Sequence, residues 1–202
     1  MAEAPAFRIG EVQLFERAVH LRMPFRFGVV TLTEAPQAFV RARIDLPDGR
    51  STWGAAAELM APKWFDKNLA LTNEDNFDQL RAVLRMARDA YVADASQATA
   101  FGHFMRHHGP HAAAAGAAGF NPLLASYGPA LVDRAVLDAL CRAMRVSFYE
   151  AMQRNLPGMA VADFLAGLVP AATIHARHTV GLLDAITAGD QVERVGDGLP
   201  ET

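Results

Sequence analysis

Cysteine and lysine are nearly missing from this 202-residue chain, which has one cysteine, Cys141, and two lysines, Lys63 and Lys67. A single thiol excludes an internal disulfide and suits a reducing compartment. No apolar run reaches the ~18 residues that a membrane-spanning helix needs. The opening, MAEAPAFRIGEVQLFE, has neither the basic start nor the long apolar stretch of a secretion signal. Basic charge is also lacking: the formal net charge is −3. That removes the electrostatic basis for binding nucleic acid or an anionic membrane. These absences lead us to expect a cytoplasmic protein that engages neither. What is plentiful is apolar surface. Hydrophobic residues make up 51% of the chain, enough for the core of one large or two small domains.

The first sixty residues carry the pattern of strands. Val40, Ala42, Ile44 and Leu46 alternate with Arg41, Arg43 and Asp45, the period of two of a half-buried antiparallel strand. Pro47, Asp48 and Gly49 form a turn, and a return strand is expected over 51–57. A further strand is expected over 7–21, ending at a loop, RMPFRFG. From Thr72 the period changes. Thr72 and Asp75 have capping-box spacing, and Phe77, Leu80, Leu84, Ala87 and Tyr91 then recur every three or four residues. A second helix is expected to begin at Pro129, in its first turn, with Val132, Val136, Leu140 and Met144 on one face. The Ala/Gly-rich stretch HAAAAGAAGFNP reads either as a short helix or as a loose connection. A short helix is expected over 161–168, and a buried strand within ATIHARHTV. The order predicts an α+β fold: a three-stranded antiparallel meander packed on a helical bundle, with a new strand near the C-terminus.

Two stretches give this pattern a family likeness. HLRMPFRFGVVTLTEAPQAFVRARIDLPDGRSTWGAAAE resembles the opening meander of the enolase superfamily, in its mandelate racemase and muconate lactonizing group. ALVDRAVLDALCRAM resembles that group's helix pattern through Asp133, Ala135, Val136, Asp138 and Ala139. HTVGLLDAIT is similar to the first strand and turn of the family's (β/α) barrel. The resemblance implies a substrate-capping domain over 1–170 and the start of an incomplete barrel over 171–202. It implies that the complete enzyme binds Mg²⁺ and abstracts the α-proton of a small carboxylate substrate, as a racemase, dehydratase or cycloisomerase. The family's Lys-x-Lys pair and its three metal-binding carboxylates have no counterpart here, and Glu58 stands later than the family's Gly-Glu-Ala would place it. The chain is therefore expected to stop before the catalytic elements and to be inactive alone, with no catalytic residue, metal or cofactor of its own. By carry-over, Met23, Phe25, Phe27 and Trp53 would wall a substrate pocket, and Arg22 or Arg26 would meet an anionic group; the alternative is that the aromatics fill the core between sheet and helices. The rival reading is a non-catalytic interaction module, or a homo-oligomerisation module, that keeps only the cap fold.

Other clusters read as structural. In HFMRHHGPH, His103 and His107 are four residues apart and could share a transition metal on a helix. No Asp, Glu or Cys lies within the run, and Gly109 and Pro110 are expected to end any helix before His111. A surface or interface helix with incidental metal affinity is the expectation, not a required site. Cys141 reads as a buried, inert thiol. Asp133 and Asp138, ~140° apart on a helix, cannot share one ion.

Overall fold

The computed structural model describes residues 4–161, 165, 167, 169 and 171–201. Three strands, β1 (Arg8–Phe27), β2 (Val30–Asp45) and β3 (Ser51–Leu59), are followed by four helices. These are α1 (Asn73–Ala93), α2 (Ala100–Ala117), α3 (Pro122–Met144) and α4 (Phe148–Gln153). The sheet is antiparallel throughout, in the order β1-β2-β3. The meander and the α+β class follow the sequence pattern. Val40, Ala42 and Ile44 turn into the core, and Arg41, Arg43 and Asp45 form the outer face. There Arg43 joins Asp45 and Glu11, and Arg8 also reaches Asp45.

Helix α1 starts where its cap dictates. Asp75 N–H donates to Thr72 Oγ1 at 3.1 Å, and Thr72 N–H donates to the Asp75 carboxylate at 2.7 Å. Its buried face includes Phe77, Leu80, Leu84, Ala87 and Tyr91, as their spacing predicts. Helix α3 packs between α1 and the sheet. Gly128 lies against the Val83 carbonyl of α1, where a Cβ would come within 2.3 Å.

The structure corrects four expectations. First, α3 begins seven residues before Pro129, because Asn121 caps it (Leu124 N–H to Oδ1, 2.9 Å) and Pro122 occupies the first turn. Pro129 is inside the helix, and its missing N–H frees the carbonyl of Ala125. His111 of α2 donates its Nε2 proton to that carbonyl at 3.0 Å, so the break is repaired from a neighbouring helix. Second, Gly109 and Pro110 do not end α2, which runs on through His111 and most of the alanine-rich stretch. Third, RMPFRFG is not a loop. Residues 22–27 continue β1, and the hairpin turns at 28–29. Fourth, residues 171–180 form no strand; Ile174 is 90% exposed. An isolated strand leaves its backbone polar groups unpaired, and no second barrel strand lies among the described residues to pair it. The helix expected over 161–168 lies largely outside the described residues.

The Pro129 repair can be measured. His111→Phe leaves the buried Ala125 carbonyl without a partner, at an expected cost of ~1–2 kcal/mol. In a Pro129→Ala background the helix supplies its own N–H, and the same change should cost less than half as much. Urea unfolding of the parent, both single variants and the double variant gives the coupling. Equal costs in the two backgrounds would exclude the repair.

Candidate functional site

The end of the β1–β2 hairpin and the loop after β3 meet at one end of the sheet. Within β1 the side chains alternate: Met23, Phe25 and Phe27 are half-buried, and Arg22 and Arg26 are exposed. Phe25 and Phe27 have ring centroids 5.7 Å apart, and Trp64 meets Phe27 edge-on at 5.9 Å. Together with Leu32, Glu58, Leu59, Ala61 and Phe65 they line a groove of about 440 Å³.

The post-β3 loop is held from several sides. Lys63, at a positive φ of 61°, donates its backbone N–H to the buried Asn76 side chain at 3.1 Å. Its ammonium donates to the carbonyls of Asn68 and Leu71. Asn121 Nδ2 donates to the Phe65 carbonyl at 3.0 Å, and the Phe65 ring packs edge-on against Tyr127 at 5.1 Å. Phe65 is drawn inward while its neighbour Trp64 stays 57% exposed. An apolar ring fixed on the surface by a clamped loop carries little ordering cost on binding.

The six carried-over residues do not converge. Met23, Phe25 and Phe27 share one side of the hairpin end. Trp53 pairs with Arg43, eleven residues along β2 from Leu32, the partner of Phe25, or ~35 Å at the rise of a strand. It lies on the outer face of the sheet under the guanidinium of Arg41, 4.6 Å from its ring centroid. The tryptophan at the groove is Trp64, which sequence reasoning missed; its signal is an aromatic pair, Trp64-Phe65, in a loop directly after a strand. Arg22 is engaged within the chain. It grips Asp197 through Nε at 2.6 Å and a terminal nitrogen at 2.7 Å, and it donates to the Leu199 and Pro200 carbonyls. Its partnership drives the Asp197 carboxyl well below the usual range. Met23 and Pro24 border a second cavity of about 460 Å³, closed by residues 182–185, 191–195 and Glu201. Arg26 accepts the Leu182 N–H through its carbonyl at 3.0 Å.

The remaining candidates fall as follows. Asp138 accepts the Ala55 N–H and Arg142 Nε, both at 2.9 Å, a structural role. Cys141 is buried, and burial pushes its thiol up. His175 and His178 lie exposed in the irregular stretch after residue 170. The histidine run is not a surface feature, however: His103, His107 and His111 are buried on α2, and only His108 faces out. Among the described residues, one group of three metal-ligating side chains converges, Asp94 with His103 and His107. No set of three carboxylates does, so the Mg²⁺ implied by the resemblance has no fitting ligands here.

No family model and no curated protein matches the chain. Several solved structures are similar to it. An enolase from alpha proteobacterium BAL199 with bound Mg is 15% identical, with a TM-score of 0.49, over 72% of this chain and 34% of that one. An enolase from Bradyrhizobium, complexed with magnesium and mandelic acid, is 14% identical, with a TM-score of 0.43, over 74% of this chain and 35% of that one. A dipeptide epimerase from Enterococcus faecalis V583, complexed with Mg and a dipeptide, is 13% identical, with a TM-score of 0.43, over 71% and 34%. The chain spans about a third of the length of these structures. Among the described residues, no helix is long and apolar enough to cross a membrane.

Proposed function

We propose that this chain is the substrate-capping part of a cytoplasmic, Mg²⁺-dependent enzyme of the enolase superfamily, which abstracts the α-proton of a small carboxylate. The observation that carries the reading is the groove of Phe25, Phe27 and Trp64, with Trp64 turned outward on a clamped loop. The meander and the Asp133–Ala139 helix motif support it. Residues 1–170 are the cap, and 171–202 begin a barrel whose other strands carry the metal and the base. The exposure of Ile174 fits a segment that needs neighbouring strands.

In that arrangement the chain's own residues supply apolar cover. Phe25, Phe27 and Trp64 close over the part of the substrate remote from the reacting carbon. Water displaced there no longer screens the charge that develops as the proton leaves. The base must come within ~3 Å of the carbon acid. The ionisable group that lines the groove, Glu58, is paired with Arg134 at 2.9 Å, so the base is assigned to the barrel.

Expressed alone, the chain should therefore catalyse no deuterium exchange at the α-carbon of 2-hydroxy acids, sugar acids, mandelate or dipeptides in D₂O with Mg²⁺ present. Clear exchange by pure protein, abolished by chelation, overturns the reading. Coding sequence downstream that holds a Lys-x-Lys followed by spaced acidic residues supports it, and a stop followed by unrelated sequence favours the interaction module.

A further inference from the structure

The buried histidines of α2 pose a problem that the capping role does not address. His103 is 1% exposed, and its Nε2 lies 2.8 Å from the Phe7 carbonyl. A carbonyl only accepts, so Nε2 carries the ring proton and Nδ1 is a bare lone pair. That Nδ1 is buried with no hydrogen-bond partner. One turn along, His107 Nε2 is also buried without a hydrogen bond, although an oxygen of Asp94 lies 3.2 Å from it. An unpartnered nitrogen such as His103 Nδ1 is costly in interiors where nearly every polar atom is satisfied.

The fold brings the two histidines together deliberately. Helix α1 stops at Ala93, and Asp94 begins the short connection to α2. The pairing of Ala98 with Phe7 returns that connection across the first turns of α2. Four-residue spacing puts His103 and His107 on one helix face, under Asp94. A ring nitrogen of each histidine and a carboxylate oxygen of Asp94 lie within 4.8 Å of one another. Donors around a tetrahedral ion, at bond lengths of ~2.0–2.1 Å, are ~3.3 Å apart, so a small rotation of the rings closes the set.

We propose that Asp94, His103 and His107 form a binding site for one Zn²⁺ ion, separate from the groove at the hairpin end and independent of the capping role. Two imidazoles and one carboxylate are the donor mixture that Zn²⁺ takes; Mg²⁺ and Ca²⁺ require oxygen. The surroundings are already those of ligands. The His103 N–H on a backbone carbonyl fixes tautomer and ring direction. The Tyr91 ring stacks on His107 at 4.2 Å and holds its plane. The Ser96 hydroxyl and Arg106 both donate to the Asp94 carboxylate and fix its direction. Arg106 is an opposing charge, 2.8 Å from Asp94. It lies on the outer side of Asp94 with a half-exposed side chain and can withdraw into solvent. The bound ion would tie together the start of β1, the end of α1 and the first two turns of α2, a structural role at the N-terminal edge of the fold.

The test uses the full chain, stripped with a chelator and titrated with Zn²⁺ alone by calorimetry, and with Co²⁺ for its tetrahedral visible absorption. The expected result is saturation at one equivalent and a rise in Tm. Asp94→Asn and His107→Gln should each weaken binding at least tenfold, while His108→Gln and a His175→Gln, His178→Gln double variant bind as the parent does. Ring ¹⁵N shifts in the unaltered protein give a readout that does not depend on variants folding, and Zn²⁺ should move the His103 and His107 nitrogens. No saturation near one equivalent, affinity unchanged in both site variants, or unmoved His103 and His107 resonances would overturn the proposal.

Discussion

Gly54→Val should cost at least ~3 kcal/mol and leave little folded protein under native conditions. A Cβ at this position would lie 2.1 Å from the Ala139 backbone nitrogen and 2.3 Å from the Ala135 carbonyl. Both atoms belong to the hydrogen-bonded frame of α3, so neither can yield without opening that helix. The contact explains the spacing of small residues in α3. Ala135 and Ala139, both fully buried, leave a smooth strip on which the backbone of β3 rests. Asp138, between them, takes up the Ala55 N–H of this edge strand. Urea unfolding measures the loss. Gly116→Ala is the matched control: it lies in α2 with open space where the Cβ would go, and it should gain up to ~1 kcal/mol. A Gly54→Val protein within ~0.5 kcal/mol of its parent would show that β3 does not rest on α3.

Asp133→Asn should stabilise the protein by ~1–3 kcal/mol at neutral pH. Burial alone pushes the Asp133 carboxyl from 3.8 up to about 6. The folded state therefore holds a proton that the unfolded chain has released. Between about pH 4 and pH 6 folding binds more protons, so this group's contribution falls as pH rises through that window and stays low above it. Asparagine mimics the protonated acid at every pH. The difference between variant and parent should be near zero at pH 4, grow to pH 6 and level off by pH 7. Unfolding free energies of both proteins across that range decide the matter; a difference that does not vary with pH would exclude Asp133 as the source.

What could be read from the sequence was local. The α1 cap needs only Thr72 and Asp75, three residues apart, and the turn at Pro47-Asp48-Gly49 needs only its own backbone preferences. The alternation at 40–46 reports one wet face and one buried face, so the meander and the packing of β2 followed. What stayed hidden was decided across elements. Pro129 reads as a helix start until His111, eighteen positions earlier on another helix, supplies the proton that its nitrogen lacks. Asp94 is absent from the histidine run because it arrives from the preceding helix. Trp53 and Trp64 are equally conspicuous as letters; the register of β2 with β3 places the first on the outer face, and the clamped loop after β3 places the second at the groove. The apolar run after Ala171 has strand chemistry, but a strand exists only with a partner, and that depends on residues elsewhere.

The seat of β3 on α3 also sets a schedule for the growing chain. Gly54 leaves the ribosome about eighty-five residues before Ala139, the helix residue that it must meet. At the usual ~5–20 residues per second, some 4–17 seconds pass in which the meander can pair its strands but lacks α3, the helix that packs on β2 and β3. Through that interval the face of Val40, Ala42 and Ile44 lacks its helical cover, and transiently exposed apolar surface of this kind promotes association. The arginines and acids of the opposite face, already joined in Arg43–Glu11 and Arg8–Asp45 pairs, leave only one side of the newborn sheet exposed to that hazard.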